Sequence, residues 1–288
     1  MKKAFICLLL FFSGMVWGLE PVIYFNQIDG AGFFSVFQRL IAVLDAYENG
    51  EVGGAEIDFG TTGLYYDETM GPNWWGYYFE PLPLQIDKEA RRVSIVERDG
   101  DFVDRGNTGV SRSQSRYLID KYIKVRPKFL KEVELFIKKN MKGSSFIGVH
   151  YRGTDKMRLE ACYLSVNEAV SRIKQKLLQM NGFQKGKIFV ATDDQSFLDL
   201  MKQEFGNRVC CFEMKRSTNN QPIHMYGKSS GYMRGKMALL DCLVLSKSSF
   251  FFRTGSNLSN SALLLNPSLP SLLLNSSFWG DREDLRSP

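Results

Sequence analysis

Histidine is nearly absent from this chain: His150 and His224 are the only two in 288 residues. Neither stands at ligand spacing from a cysteine, which excludes a zinc site built on the usual Cys/His patterns. Cysteine is also sparse. Of five, one lies in the apolar N-terminal stretch, leaving Cys162, Cys210, Cys211 and Cys242. Four such residues, two of them adjacent, do not make a disulfide framework. No internal repeat or low-complexity tract interrupts the chain, and beyond the first dozen residues no apolar run is long enough to cross a bilayer. The phosphate-loop signature of kinases and ATPases is missing. "GAGFFSV" at 30–36 lacks the third glycine that would complete a dinucleotide fingerprint.

What is present is an ordinary globular composition, 44% apolar and 24% charged, with enough apolar residues for two cores. The N-terminus has its own pattern. Met1-Lys2-Lys3 is a short basic region, residues 4–12 are apolar, and Val16-Trp17-Gly18 precedes a plausible cleavage point. This predicts a signal peptide, or a short uncleaved anchor, over residues 1–18. Removing it takes two lysines and lowers the formal charge from +6 to +4. Between Arg112 and Lys142 ten lysines or arginines face three acids. Their helical spacing among apolar residues predicts the wet face of amphipathic helices. Neither aromatic platforms nor a recognisable module suggests a nucleic-acid partner.

Elements alternate along the chain. "PVIYF" (21–25) reads as a strand, Phe33 to Glu48 as a helix, and "GGAEIDFG" (53–60) as a second strand. Residues 61–83 read as an aromatic loop, residues 84–111 carry no strong period, and basic helices run to about Lys142. The second half is more regular. Strands are expected at 145–151, 186–194, 208–213, 249–254 and 271–274, with helices at 165–180, 196–205, 231–246 and 257–265. Alternating strands and helices predict an α/β fold with doubly wound, mostly parallel sheets. The expected organisation is an N-terminal domain over 19–142 and a C-terminal domain over 143–288.

Ligands of such sheets bind beyond the carboxyl ends of the strands. Three strand ends are polar: His150-Tyr-Arg152, Thr192-Asp193-Asp194 and Thr254-Gly255-Ser256-Asn257. The last of these leads into a helix, so Ser256 and Asn257 are either plain N-caps or part of an anion site at the helix start. Arg152 favours the anion site, because a guanidinium beside a helix N-terminus clamps a phosphate from two sides. Asp241 sits within "LLDCLVL", where burial demands a partner. "DGD" at 99–101 reads as either a metal-binding D-x-D or a polar turn. "GPNWWGYYFEPL" offers Trp74 and Trp75 as either a sugar-stacking surface or packed core.

"IGVHYRGTDK…E", "FVATDD" and "RG…LLDCLVLSKSSFFFRTGSNLS" resemble, in order, three motifs of the GDP-fucose-dependent fucosyltransferases, the family of core α1,6 and nodulation enzymes. The similarity covers about Ser145 to Asn266. It implies a GT-B-like fold of two facing Rossmann-like domains, with GDP-fucose held by the C-terminal one and no metal or other cofactor. Arg152 matches the arginine that neutralises the leaving diphosphate. His150, Thr192, Asp193, Asp194 and Asp241 match positions around the donor, Asp241 at the guanine, and Ser256 and Asn257 match the phosphate-binding helix start. Lys156 and Glu160 match groups near the reacting hydroxyl, the glutamate as general base. Trp74 and Trp75 fall on the acceptor side. In one departure, Gly153 stands where the α1,6 enzymes usually carry a second arginine, which removes one cationic contact.

The expected activity is therefore an inverting transfer of L-fucose from GDP-fucose to a glycan hydroxyl, α1,6-like. Alternatives are transfer from another nucleotide sugar, or a secreted glycan-binding protein without turnover. The leader implies a secretory compartment such as a Golgi-like lumen, or membrane association if it is retained.

Overall fold

The computed structural model describes residues 19–26, 30–95, 109–142, 144–153, 164–180, 185–218 and 230–275. The leader, Lys156, Glu160, Cys162, His224 and the "DGD" turn lie outside them.

Two parallel sheets organise the chain. In the first, β1 (Val22–Phe25) is central, flanked by β2 (Gly54–Ile57) and β3 (Arg92–Ser94). β1 pairs with both neighbours in parallel. β3 is a strand that sequence reasoning missed, because three residues flanked by arginine carry no readable alternation. Parallel neighbours need a crossover, and α1 (Phe33–Glu48) provides the first. Its apolar residues fill nearly its whole circumference, so it is buried between the first sheet and the rest of the molecule.

The second sheet has the order β6-β5-β4-β7-β8, all parallel. Its strands are β4 (Phe146–Tyr151), β5 (Lys187–Thr192), β6 (Val209–Cys210), β7 (Phe250–Arg253) and β8 (Ser271–Leu273). β4 is central and buried on both faces, as its unbroken burial shows. Ile147, Val149 and Tyr151 point to one face and pack with α4 (Val166–Gln179) and α5 (Gln195–Phe205). Phe146 points to the other, where α3 (Pro127–Met141) and α6 (Gly231–Leu245) lie. The chain steps from β4 outward to β5 and β6, then returns across β4 to β7. That reversal is a topological switch point between β4 and β7.

One apolar core continues from the first sheet to the second. α2 (Arg112–Tyr122) contributes Leu118 and Ile119 to it; of its basic residues Lys121 faces water, while Arg112 and Arg116 are half-buried and Arg116 donates to Leu265 O. Residues 61–83, read from sequence as a loop, form a packed aromatic plug with two short 3-10 turns at Glu68–Met70 and Trp74–Tyr77. The α6 N-terminus docks on this plug. A β-carbon on Gly231 would lie 2.0 Å from Tyr66 O, and one on Gly235 would lie 2.4 Å from the Tyr78 hydroxyl. Only glycine allows so close an approach. Tyr78 donates to Tyr232 O at 2.8 Å, and their rings stack. A second tie joins α1 to α7 (Asn257–Leu265): buried Gln38 donates to Asn257 O at 2.8 Å and to Ser261 Oγ at 3.1 Å.

Among the described residues no helix is long and apolar enough to cross a membrane.

Candidate functional site

The switch point gathers the polar strand ends. His150 is buried near the end of β4, and Arg152 follows, with a quarter of its side chain exposed. The Arg152 backbone N–H donates to Thr254 Oγ1 at 2.9 Å, and Thr254 N donates back to His150 O at 3.0 Å. β4 and β7 are thereby stitched one residue beyond their ladder. Ser256 caps α7, its hydroxyl accepting from Ser259 N at 3.1 Å and standing 3.5 Å from His150 Nδ1. So Ser256 is an N-cap, and that cap lies beside the polar end of β4 rather than away from it. Asn257 opens α7, with its carbonyl committed to Gln38.

Asp193, at the end of β5, holds the arginine segment in place. Its Oδ2 lies 3.1 Å from Arg152 Nη1, and its Oδ1 accepts from Gly153 N at 2.9 Å. The guanidinium is therefore aimed by a carboxylate, with both partners largely buried. Such a pair is an orienting device, since the desolvation of a buried ion pair offsets most of its attraction. Asp194 does something else. Its Oδ1 caps α5 by accepting from Phe197 N at 3.1 Å, and burial raises its carboxyl pKa above the ordinary range. Thr192 Oγ1 accepts from Asp194 N at 3.1 Å. These two residues form the local turn that presents Asp193.

Asp241 lies farther along, in the middle of α6, and is buried. Burial pushes its carboxyl up to about 7, opposed by the Arg216 guanidinium. Arg216 is itself buried, donating to Thr192 O at 3.2 Å and Phe212 O at 2.9 Å. Arg216, anchored at the end of β5, thus acts on Asp241 electrostatically.

The tertiary structure adds two residues that sequence reasoning did not single out. The Tyr65 hydroxyl is buried and accepts from Phe33 N at 2.7 Å, closing the first turn of α1. Burial raises the Tyr65 pKa, while Arg152 and Arg234 both lie near enough to oppose the shift. Arg234, in the first turn of α6, thus lies, like Arg152, within electrostatic range of the Tyr65 hydroxyl at the start of α1. The "RG" of the third motif was its only signal, and nothing in spacing alone tied it to a residue some eighty positions earlier.

Trp74 and Trp75 are corrected by the structure. Each is 3% exposed. Trp74 stacks on Phe59 with centroids 4.7 Å apart, and Trp75 on Phe79 at 4.1 Å. They are plug, not an open stacking platform, because their faces are already covered by neighbouring rings. Among the described residues no group of three or more His, Cys, Asp or Glu could hold a metal ion.

The family model described as alpha-(1,6)-fucosyltransferase N- and catalytic domains matches residues 115–258. The chain belongs to this family. It is accordingly a glycosyltransferase, and the matched span contains β4, β5 and α6 with their polar ends. Among solved structures, NodZ alpha-1,6-fucosyltransferase soaked with GDP-fucose is similar at 17% identity and a TM-score of 0.59, covering 86% of this chain and 93% of that one. Fucosyltransferase NodZ from Bradyrhizobium is similar at 16% identity and a TM-score of 0.56, covering 86% and 94%. These likenesses establish the α/β, GT-B-like fold with parallel sheets. No curated protein matches the chain by sequence.

Proposed function

We propose that this fucosyltransferase-family enzyme transfers L-fucose from GDP-fucose to a glycan hydroxyl, with inversion at the anomeric carbon. The observation that carries the reading is the meeting of His150 and the Arg152 backbone with Ser256 and Thr254 across the β4/β7 switch point. Sugar transfer from a nucleotide leaves a diphosphate and passes through an oxocarbenium-like state, so charge must be stabilised on the leaving side. Arg152, aimed by Asp193, faces that task together with Arg234, and the start of α7 adds the positive end of a helix dipole. Asp241 takes the guanine end, where an ionised carboxylate accepts from the base. Glu160 is the candidate base for the acceptor hydroxyl and Lys156 its neighbour, both by motif. A single displacement on the β-linked donor gives the α product.

We further propose the division at residues 142/143 into acceptor-side and donor-side domains, and a secretory or membrane-tethered location set by residues 1–18. The solved NodZ structures with GDP-fucose and with GDP support the donor class.

The direct test is release of GDP from GDP-fucose in the presence of mixed glycans, measured for the wild type and Arg152→Ala. Loss of one preorganised charge donor should slow turnover about 10²–10³-fold. Equal release from the two proteins would end the assignment of the donor site.

A further inference from the structure

β5 runs on past the strand beside it. β6 pairs with it only as far as Phe189, so from there to Thr192 its outer edge has no ladder partner among the described residues. The chain leaving β6 nevertheless stays alongside. Arg216 spans the gap, its Nε donating to Thr192 O at 3.2 Å, Nη1 to Met214 O at 3.2 Å and Nη2 to Phe212 O at 2.9 Å. The next residue completes the join: Ser217 N donates to Asp193 O at 2.8 Å, and Gln195 N donates to Ser217 O at 2.9 Å. The turn that carries Asp193 is therefore held from outside by one buried side chain and the backbone that follows it.

The residue type is informative. Arg216 is only 9% exposed, and among the described residues no carboxylate lies within ion-pair distance of it. Burying a cation without a close counter-charge is costly. Two more residues of β6 ladder would satisfy the same edge with no charge to bury. What a guanidinium adds is a rigid plane of donors that reaches three carbonyls on two segments at once. The segment it fixes is the one that matters for the charge above it. Asp193 meets Gly153 N through Oδ1 at 2.9 Å and Arg152 Nη1 through Oδ2 at 3.1 Å.

We propose that Arg216 is a positioning residue of the donor site: its fork locks the end of β5 so that Asp193 keeps Arg152 aimed. The inference rests on the donor-site reading above and adds to it a residue that lies in none of the three motifs.

Amide hydrogen exchange by NMR, together with GDP release in the presence of mixed glycans, tests it on the full chain. Arg216→Gln keeps one amide donor and drops the charge, whereas Arg216→Lys keeps the charge and loses the fork. Melting temperatures check folding, and should Arg216→Gln not fold, Arg216→Lys carries both measurements. In each folded variant the Gly153 N–H should exchange about tenfold faster, relative to Val149 N–H in the middle of β4, as a local opening would give. Turnover should fall about 10²-fold, as for a displacement of about 1 Å, with little further loss when combined with Arg152→Ala.

The exchange measurement does not depend on the donor. Unchanged relative exchange at Gly153 in a folded variant overturns the proposal. Faster exchange with wild-type turnover, where Arg152→Ala is slow, reduces Arg216 to a staple of the fold and also overturns it. Full recovery in Arg216→Lys would mean that charge alone suffices, through the field Arg216 exerts on Asp241, and would overturn the role of the fork. If Arg152→Ala itself matches the wild type, the donor site falls and the positioning role falls with it, whatever Gly153 shows.

Discussion

Gly153 and Asp194 compete for one space: a β-carbon on residue 153 would lie 2.5 Å from Asp194 Oδ2 and 2.7 Å from its Cβ. Asp194 cannot yield cheaply, because it caps α5 and sits within the turn that presents Asp193. The glycine where related enzymes usually carry a second arginine is therefore built into this strand end. An added cation there has nowhere to go unless the cap breaks.

Gly153→Arg should consequently fail to improve activity. Breaking the α5 cap costs about 1 kcal/mol and overpacking about 1–3 kcal/mol. Thermal unfolding of Gly153→Ala and Gly153→Arg should show both destabilised, with GDP affinity no tighter than wild type; a tighter-binding Gly153→Arg would refute the steric account.

Since Arg234 and Arg152 both act electrostatically at Tyr65, the candidate for the second cation under the function proposed above is Arg234. Replacing it by alanine should weaken GDP binding and turnover in the same direction as Arg152→Ala, while the double variant should fall short of additivity because both charges act on one group. Steady-state kinetics of the four proteins in this cycle measure the coupling. Additive losses would place Arg234 outside the donor site.

Gly235→Ala sets helix propensity against packing. Alanine favours a helix interior by about 1 kcal/mol over glycine, yet its methyl would press on the buried Tyr78 hydroxyl at 2.4 Å. Packing should win, with a net loss of about 1–3 kcal/mol in denaturant unfolding. A stabilised variant would mean that the plug relaxes freely around α6.

Asp241 gives a pH signature. Its folded pKa is raised to about 7 by burial, above the ordinary carboxylate range. The folded state then holds a proton that the unfolded state releases, so stability should fall as pH rises between about 4 and 7 and level off above. Asp241→Asn should remove that slope in urea titrations at several pH values. GDP affinity should move oppositely, rising as pH passes 7 and the carboxylate forms; a pH-independent affinity would take Asp241 away from the guanine.

Much of this was legible in the sequence because it is local. The apolar periods fixed the strands and helices of the second half, and "SFIGVHY" ending in Arg152 announced a buried strand that stops where charge begins. Order of motifs was enough to find the family. Short or irregular pieces were not legible: β3 is too brief to show alternation, and β6 shrinks from an expected six residues to two. Trp74 and Trp75 could equally have lined a surface or a core, since composition does not say which neighbours will cover a ring. Strand order, and with it the switch point, came only from the fold. So did the nearness of both Arg152 and Arg234 to the Tyr65 hydroxyl, and the exclusion at Gly153. Each depends on groups distant in the chain being pressed to contact by burial of the same core, and no local pattern encodes that distance.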